Sequence, residues 1–210
     1  MANLMTRAFL ADAAQTLARR DSDLAAIHEE LGPPSPWRRP QGFATLCYIV
    51  FEQQVSLASA EATYLKVAAL METFTPENYL PLSDEALRGA GVSRQKARYT
   101  RLIAEAILNG DLPIHRFARY GDDRVRELLT AITGVGNWTA DVYLMAAMRR
   151  PDLWPIGDLA LVKAIKAVKG LETTPDKDWL QALGEDYRPY RSVAARMYWD
   201  YYLSRGGRFP

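Results

Sequence analysis

Residues that ligate metals or form disulfides are scarce in this sequence. One of its 210 residues is a cysteine, Cys47, and two are histidines, His28 and His115, which lie far apart along the chain. A lone cysteine excludes a disulfide framework and any cluster held by several cysteines. The two histidines lack the spacing of a zinc site. We therefore expect a protein of a reducing compartment.

A large net charge and long apolar runs are absent as well. Lysine and arginine total 26 against 25 acidic residues, a net charge of +1, while 49% of the residues are hydrophobic. No apolar run approaches membrane-spanning length, and the N-terminus does not read as a signal peptide. We expect a soluble, cytoplasmic protein with no membrane partner. A nucleic-acid partner would require local clustering of the positive charge.

The sequence does contain a succession of helix signals. From Phe43 the apolar residues recur at the spacing of a helix that is buried on one face. Residues that cap helix N-termini precede several further stretches of this kind, namely Ser56, Thr75, Ser83 and Ser93. Thr174 with Pro175 predicts the start of another short helix. We find no convincing two-residue alternation. The sequence predicts an all-α fold.

A pair of glycines, Gly134 and Gly136, interrupts one of these helical patterns. Glycine lets the backbone approach a partner closely, and the N–H groups that open the next helix can bind a phosphate. The same spacing also suits a tight turn between two packed helices. The residues alone leave both interpretations open.

Asp158 precedes the apolar run 159–162, which begins another helix. As an N-cap it would contribute about 1 kcal/mol. An ionised carboxylate at this position is also able to stabilise a developing cation or to activate water, and the two roles are compatible. Basic residues form two groups that suggest a local positive surface. The groups are Arg94, Lys96, Arg98 and Arg101, and Arg149, Arg150, Lys163, Lys166 and Lys169.

Two segments together resemble a known family. Residues 132–140 read Ile-Thr-Gly-Val-Gly-Asn-Trp-Thr-Ala, and residues 154–161 read Trp-Pro-Ile-Gly-Asp-Leu-Ala-Leu. They resemble the helix-hairpin-helix DNA glycosylases, and more narrowly the 3-methyladenine DNA glycosylase II branch. Three further segments resemble that branch: Phe-Glu-Gln-Gln-Val-Ser at 51–56, Leu-Arg-Gly-Ala-Gly-Val-Ser-Arg-Gln-Lys-Ala at 87–97, and Tyr-Arg-Pro-Tyr-Arg-Ser at 187–192.

The resemblance implies roles for particular positions. Asp158 would be the catalytic carboxylate, and Gln54 would wedge into the duplex after the target nucleotide is flipped out. The hairpin would bind the DNA backbone through Thr133, Gly134, Val135, Gly136, Asn137 and Thr139. Backbone carbonyls of Thr130, Ile132 and Val135 would hold a monovalent cation, Na⁺ or K⁺, and no other cofactor is required.

Trp138 and Trp199 would line the base pocket by the same resemblance, although core packing is the alternative for both. Family members that also cleave the DNA backbone carry a lysine at the position of Trp138, which forms a Schiff base. The resemblance therefore implies a monofunctional enzyme. An aromatic ring there also suits a cationic alkylpurine, through a cation–π contact of about 0.5–2 kcal/mol. The single cysteine excludes the iron–sulfur cluster of related branches.

The resemblance further implies two helical lobes, 43–150 and 1–42 with 151–210, with an active-site cleft between them. The expected protein is a monomer that excises 3-methyladenine, 7-methylguanine or ethenoadenine from double-stranded DNA in base excision repair. Three alternatives remain open from the residues: a non-catalytic helix-hairpin-helix DNA-binding protein, a glycosylase for oxidised or deaminated bases, and a helical interaction protein without DNA.

Overall fold

A computed structural model describes residues 4–37 and 39–207. These residues form twelve α-helices, one 3-10 helix at Ile114–Arg119 and no strand, which confirms the predicted all-α class. No helix in the described part of the chain is long and apolar enough to span a membrane. In chain order the helices are α1 (Arg7–Arg20), α2 (Ser22–Leu31), α3 (Phe43–Glu52), α4 (Leu57–Ala68), α5 (Pro76–Tyr79), α6 (Asp84–Gly89), α7 (Arg94–Leu108), α8 (Asp122–Thr130), α9 (Asn137–Ala146), α10 (Leu159–Val168), α11 (Lys177–Asp186) and α12 (Arg191–Ser204).

Four caps predicted from sequence begin the helices they were assigned to. Ser56, Thr75, Ser83 and Ser93 each accept a hydrogen bond from a backbone N–H in the first turn of α4, α5, α6 and α7. The start of α11 differs from the expected one, Thr174 with Pro175. The helix begins at Lys177 because Asp176, not the threonine, caps it by accepting from Trp179 N at 2.8 Å.

The chain divides into two units, which we name by their place in the sequence. The central unit is Arg39–Ala147, and the terminal unit combines Met1–Arg38 with Met148–Pro210. In the central unit, α3 packs against α4, α7 and α9. Its buried residues include every position of the predicted apolar face, Phe43, Leu46, Cys47, Val50 and Phe51, together with Thr45 and Ile49. Burial raises the pKa of the Cys47 thiol well above its usual value.

In the terminal unit, α12 packs against α1, α2 and α10 and buries every residue from Ser192 to Trp199. A polar network supports these helices. Asp21 accepts hydrogen bonds from Lys169 Nζ and Tyr187 Oη, both at 2.6 Å. Burial alone raises the pKa of the Asp21 carboxyl, but the bonds from Lys169 and Tyr187 outweigh it and leave that pKa below its ordinary value.

Candidate active site

The glycine turn joins α8 to α9 in the central unit. Gly134 has φ = 92°, a left-handed conformation that favours glycine, and a Cβ atom built on it would lie 2.0 Å from the Tyr99 ring. Gly136 caps α9 without a side-chain hydrogen bond, and a Cβ atom there would meet nothing within 4 Å. The N–H groups of the first turn of α9 have no acceptor within the helix. Gly134 is therefore packed tightly against Tyr99, whereas the N-terminus of α9 at Gly136 is open to solvent.

Gln53 holds this turn in place, a role that the sequence did not reveal. Its Nε2 donates to the Gly134 carbonyl at 3.1 Å and to Thr139 Oγ1 at 3.0 Å. The side chain thus joins the end of α3 to both sides of the hairpin. The only signal in the sequence was the glutamine pair, from which the resemblance singled out Gln54.

We predict that Gln53→Leu weakens the hairpin. The change removes both hydrogen bonds and leaves the hydroxyl of Thr139, whose residue is only 1% exposed, without its donor. The expected loss is about 1–3 kcal/mol in the free energy of unfolding. Urea denaturation measures it, and Gln15→Leu at an exposed position of α1 is the matched control. Equal stability of the two variants would contradict the proposed role of Gln53 in holding the turn.

Gln54 follows directly and is exposed, with φ = 58°, which is uncommon for a residue other than glycine. The last turn of α3, just before Gln54, is held by Lys96. Its Nζ donates to the Phe51 carbonyl at 2.8 Å. Burial lowers the pKa of Lys96. A polar side chain is thus presented to solvent from an uncommon backbone conformation, and its role as a wedge stays a prediction.

Asp158 is the N-cap of α10 in the terminal unit, as the sequence indicated. Its Oδ1 accepts from Leu161 N at 2.7 Å and from the indole Nε1 of Trp199 at 3.0 Å. Two donors on the same oxygen fix the plane of the carboxylate. The half-buried side chain therefore has a defined orientation at the positive end of the α10 dipole.

The loop before Asp158 is anchored by the start of α12. The guanidinium of Arg191 donates to the Asp152 carboxylate and carbonyl, both at 2.8 Å, and Ser192 Oγ accepts from Leu153 N at 2.9 Å. Trp154 adds a bond from Nε1 to the Leu180 carbonyl at 2.8 Å. The segment 187–192 is therefore a scaffold for the loop that carries the aspartate.

The other predicted site residues occupy different environments. Trp138 is half-buried in the first turn of α9. Trp199 is 8% exposed and stacks on Trp37 at 5.2 Å between ring centroids. In the hairpin, Thr133 and Asn137 are exposed, whereas Val135 and Thr139 are buried, so contacts of the latter two with DNA would be limited to their backbone.

Three of the basic residues that suggested a positive surface are engaged inside their own units. Lys96 binds the Phe51 carbonyl, and Lys169 pairs with Asp21 and Asp23. Arg101 donates to the carbonyls of residues 80 and 82 and to Asp84. Exposed members of the two groups include Arg94, Arg98, Arg149 and Lys163. The basic surface is thus smaller than the sequence suggested.

The candidate site residues therefore lie in two groups. The first group lies in the central unit and consists of the hairpin, Gln53 and the neighbouring Gln54. The second lies in the terminal unit and consists of Asp158 and Trp199.

The sequence from 47 to 189 matches the model of the HhH-GPD superfamily of base excision DNA repair proteins. This span includes the glycine turn and Asp158. The chain belongs to that superfamily. The resemblance recognised in the sequence is thereby confirmed, and the hairpin is the helix-hairpin-helix motif of the superfamily name.

Members of the superfamily are similar to this protein over much of its length. A putative DNA-3-methyladenine glycosylase of Bacillus subtilis is 33% identical over 59% of this chain, and that match spans 43% of the relative's own length. The 3-methyladenine DNA glycosylase of Schizosaccharomyces pombe, solved in complex with abasic DNA, is 25% identical with a TM-score of 0.87, covering 91% of this chain and 97% of that one. A DNA-3-methyladenine glycosidase structure from Bacillus halodurans is 31% identical with a TM-score of 0.77, covering 94% and 92%.

Proposed function

We propose that this protein is a monofunctional DNA glycosylase that excises alkylated purines from double-stranded DNA during base excision repair. The observation that carries the proposal is Asp158, held by Leu161 N and Trp199 Nε1 in a member of the HhH-GPD superfamily. The names of the relatives support alkylpurines as the substrate class. We place this activity on chromosomal DNA in the cytoplasm, with the protein acting as a monomer.

The chemistry assigned to Asp158 is N-glycosidic hydrolysis. As the bond between C1′ and the base nitrogen breaks, the base leaves with the electron pair and positive charge develops on the sugar. The oriented carboxylate stabilises that charge, orients the water that attacks C1′ and accepts the proton that this water loses. A cationic alkylpurine leaves as a neutral base, so the reaction does not require a separate general acid.

Trp138 supports hydrolysis without strand cleavage. Schiff-base chemistry requires an amine at the reacting carbon, and an indole cannot supply one. The aromatic ring instead offers a face for a flipped cationic base. We assign the hairpin to the DNA backbone, Gln54 to the wedge, and Trp138 with Trp199 to the base pocket.

A monovalent cation at the hairpin belongs to the same proposal. The carbonyl of Thr130 lies in the last turn of α8, where the helix dipole makes carbonyl oxygens electron-rich, and those of Ile132 and Val135 lie in the turn between α8 and α9. Neutral backbone carbonyls can replace the hydration shell of a monovalent cation, so ligands of this kind fit Na⁺ or K⁺. A bound cation would supply positive charge for a DNA phosphate.

An excision panel tests the proposed function. Duplexes that carry 3-methyladenine, 7-methylguanine, ethenoadenine, hypoxanthine or 8-oxoguanine are incubated with the protein and assayed with and without alkali. Release of the alkylpurines, with strand breaks that appear only after alkali, is the expected result. Release of 8-oxoguanine or hypoxanthine alone would identify a different glycosylase. Binding of abasic-site duplex without any release would identify a non-catalytic DNA-binding protein.

A further inference from the structure

In the terminal unit, the ring of Trp37 contacts two side chains of α12, Trp199 and Arg196. The Trp37 ring lies over the Trp199 ring, with 5.2 Å between centroids and 21° between planes. The guanidinium carbon of Arg196 lies 4.1 Å from the centroid of Trp37. Trp199 in turn donates its indole hydrogen to Asp158 Oδ1. Trp37 therefore contacts both a buried cation and the indole that donates to the carboxylate assigned to catalysis.

Arg196 contacts both the ring of Trp37 and the backbone that precedes it. The residue is 6% exposed, and its Nη2 donates to the Ser35 carbonyl at 2.8 Å, two residues before Trp37 in the proline-rich segment 33–36. Asp200 lies 3.6 Å from the same nitrogen and balances the charge. Burial lowers the pKa of Arg196 to about 10, so the guanidinium stays charged at neutral pH and can form a cation–π contact.

Trp37 and Arg196 lie outside the span 47–189 that defines the superfamily match. A tryptophan that holds a hydrogen bond must keep the plane of its ring, since the N–H points along one direction in that plane. Stacking against a second fixed ring supplies this constraint, and Trp37 provides that ring.

We propose that Trp37, held by Arg196, is a positioning residue that sets the ring of Trp199 and, through its indole N–H, the orientation of the Asp158 carboxylate. This inference rests on the proposed function of Asp158. Trp37 acts through Trp199 and is not assigned a contact with the reacting atoms.

The first test needs no activity. In Trp37→Leu, hydrogen exchange of the Trp199 indole N–H, assigned in NMR spectra by comparison with Trp199→Phe, is expected to accelerate about tenfold because the ring is no longer stacked. Trp37→Phe should keep the exchange slow. Trp179→Leu, at an exposed tryptophan of α11 in the same unit, is the matched control and should leave it unchanged. Unchanged exchange in Trp37→Leu would overturn the proposal even if no lesion is excised.

The second test is a double-mutant cycle on the single-turnover rate of 7-methylguanine excision. Trp37→Leu is expected to slow the rate by about tenfold at a temperature far below its Tm, with the Kd for abasic-site duplex unchanged. In the Trp199→Phe background, where the indole donor is gone, the same change should cost less than about twofold. Full additivity would show a general structural effect and would overturn the proposal. An inactive wild type would instead count against the proposed function.

Discussion

Asp158→Asn is expected to slow excision of 7-methylguanine by about 10²–10⁴-fold under single-turnover conditions, with little change in stability. Asparagine is as good an N-cap as aspartate, so the bond from Leu161 N to the side-chain oxygen can persist. The variant removes the negative charge, and the stabilisation of the positive sugar is lost with it. The rate therefore reports on the charge itself.

Asp176→Asn is the matched control for this experiment. Asp176 caps α11 in the same unit, as Asp158 caps α10, and accepts from Trp179 N at 2.8 Å. Asp176→Asn should leave the excision rate within about twofold of the wild-type rate, since it alters an equivalent cap and keeps the negative charge of Asp158. Undiminished excision by Asp158→Asn would show that the carboxylate is only a helix cap.

Gly134→Ala is expected to be the most destabilising change in the hairpin. The added Cβ would meet the Tyr99 ring at 2.0 Å, and φ = 92° is unfavourable for alanine. Overpacking costs about 1–3 kcal/mol and the left-handed backbone about 1–2 kcal/mol more. Urea denaturation should show this loss in the free energy of unfolding. Affinity for abasic-site duplex should fall with it, because the turn must shift.

Gly136→Ala separates the steric argument from a general effect of changing a hairpin glycine. Its Cβ would meet nothing within 4 Å, so the free energy of unfolding should change by less than about 1 kcal/mol. Its DNA affinity is a separate readout, because Gly136 lies at the proposed phosphate site. Equal loss of stability in both variants would contradict the assigned contact with Tyr99.

Several elements of the fold were predictable because their signals are local. The apolar face of α3 and the caps at Ser56, Ser83, Ser93 and Asp158 depend on residues within one or two turns of each other, and all appear as expected. The start of α11 was misplaced because Asp176 competes with the earlier threonine as a cap. Local patterns therefore predict helices well and their exact ends less well.

The site was predictable only in part, because its geometry depends on residues distant in sequence. Gln53 rather than Gln54 holds the hairpin, through bonds to residues more than 80 positions away. Lys169 was expected on a basic surface, yet it pairs with Asp21, which lies 148 positions away in the sequence. The sequence around Gln53 or Lys169 does not indicate which distant residues they bind.

The sequence by itself determined the all-α class, the glycine turn, the aspartate at a helix start and, through its ordered segments, the superfamily. Periodicity, capping and motif spacing are properties of short stretches of chain. Only the tertiary structure decided that Gly134 is sterically required beside Tyr99 while Gly136 is not. It also decided that Trp199 donates to Asp158 and stacks on Trp37, which Arg196 contacts in turn. Those outcomes depend on which distant side chains pack together, and packing is settled only when the helices meet.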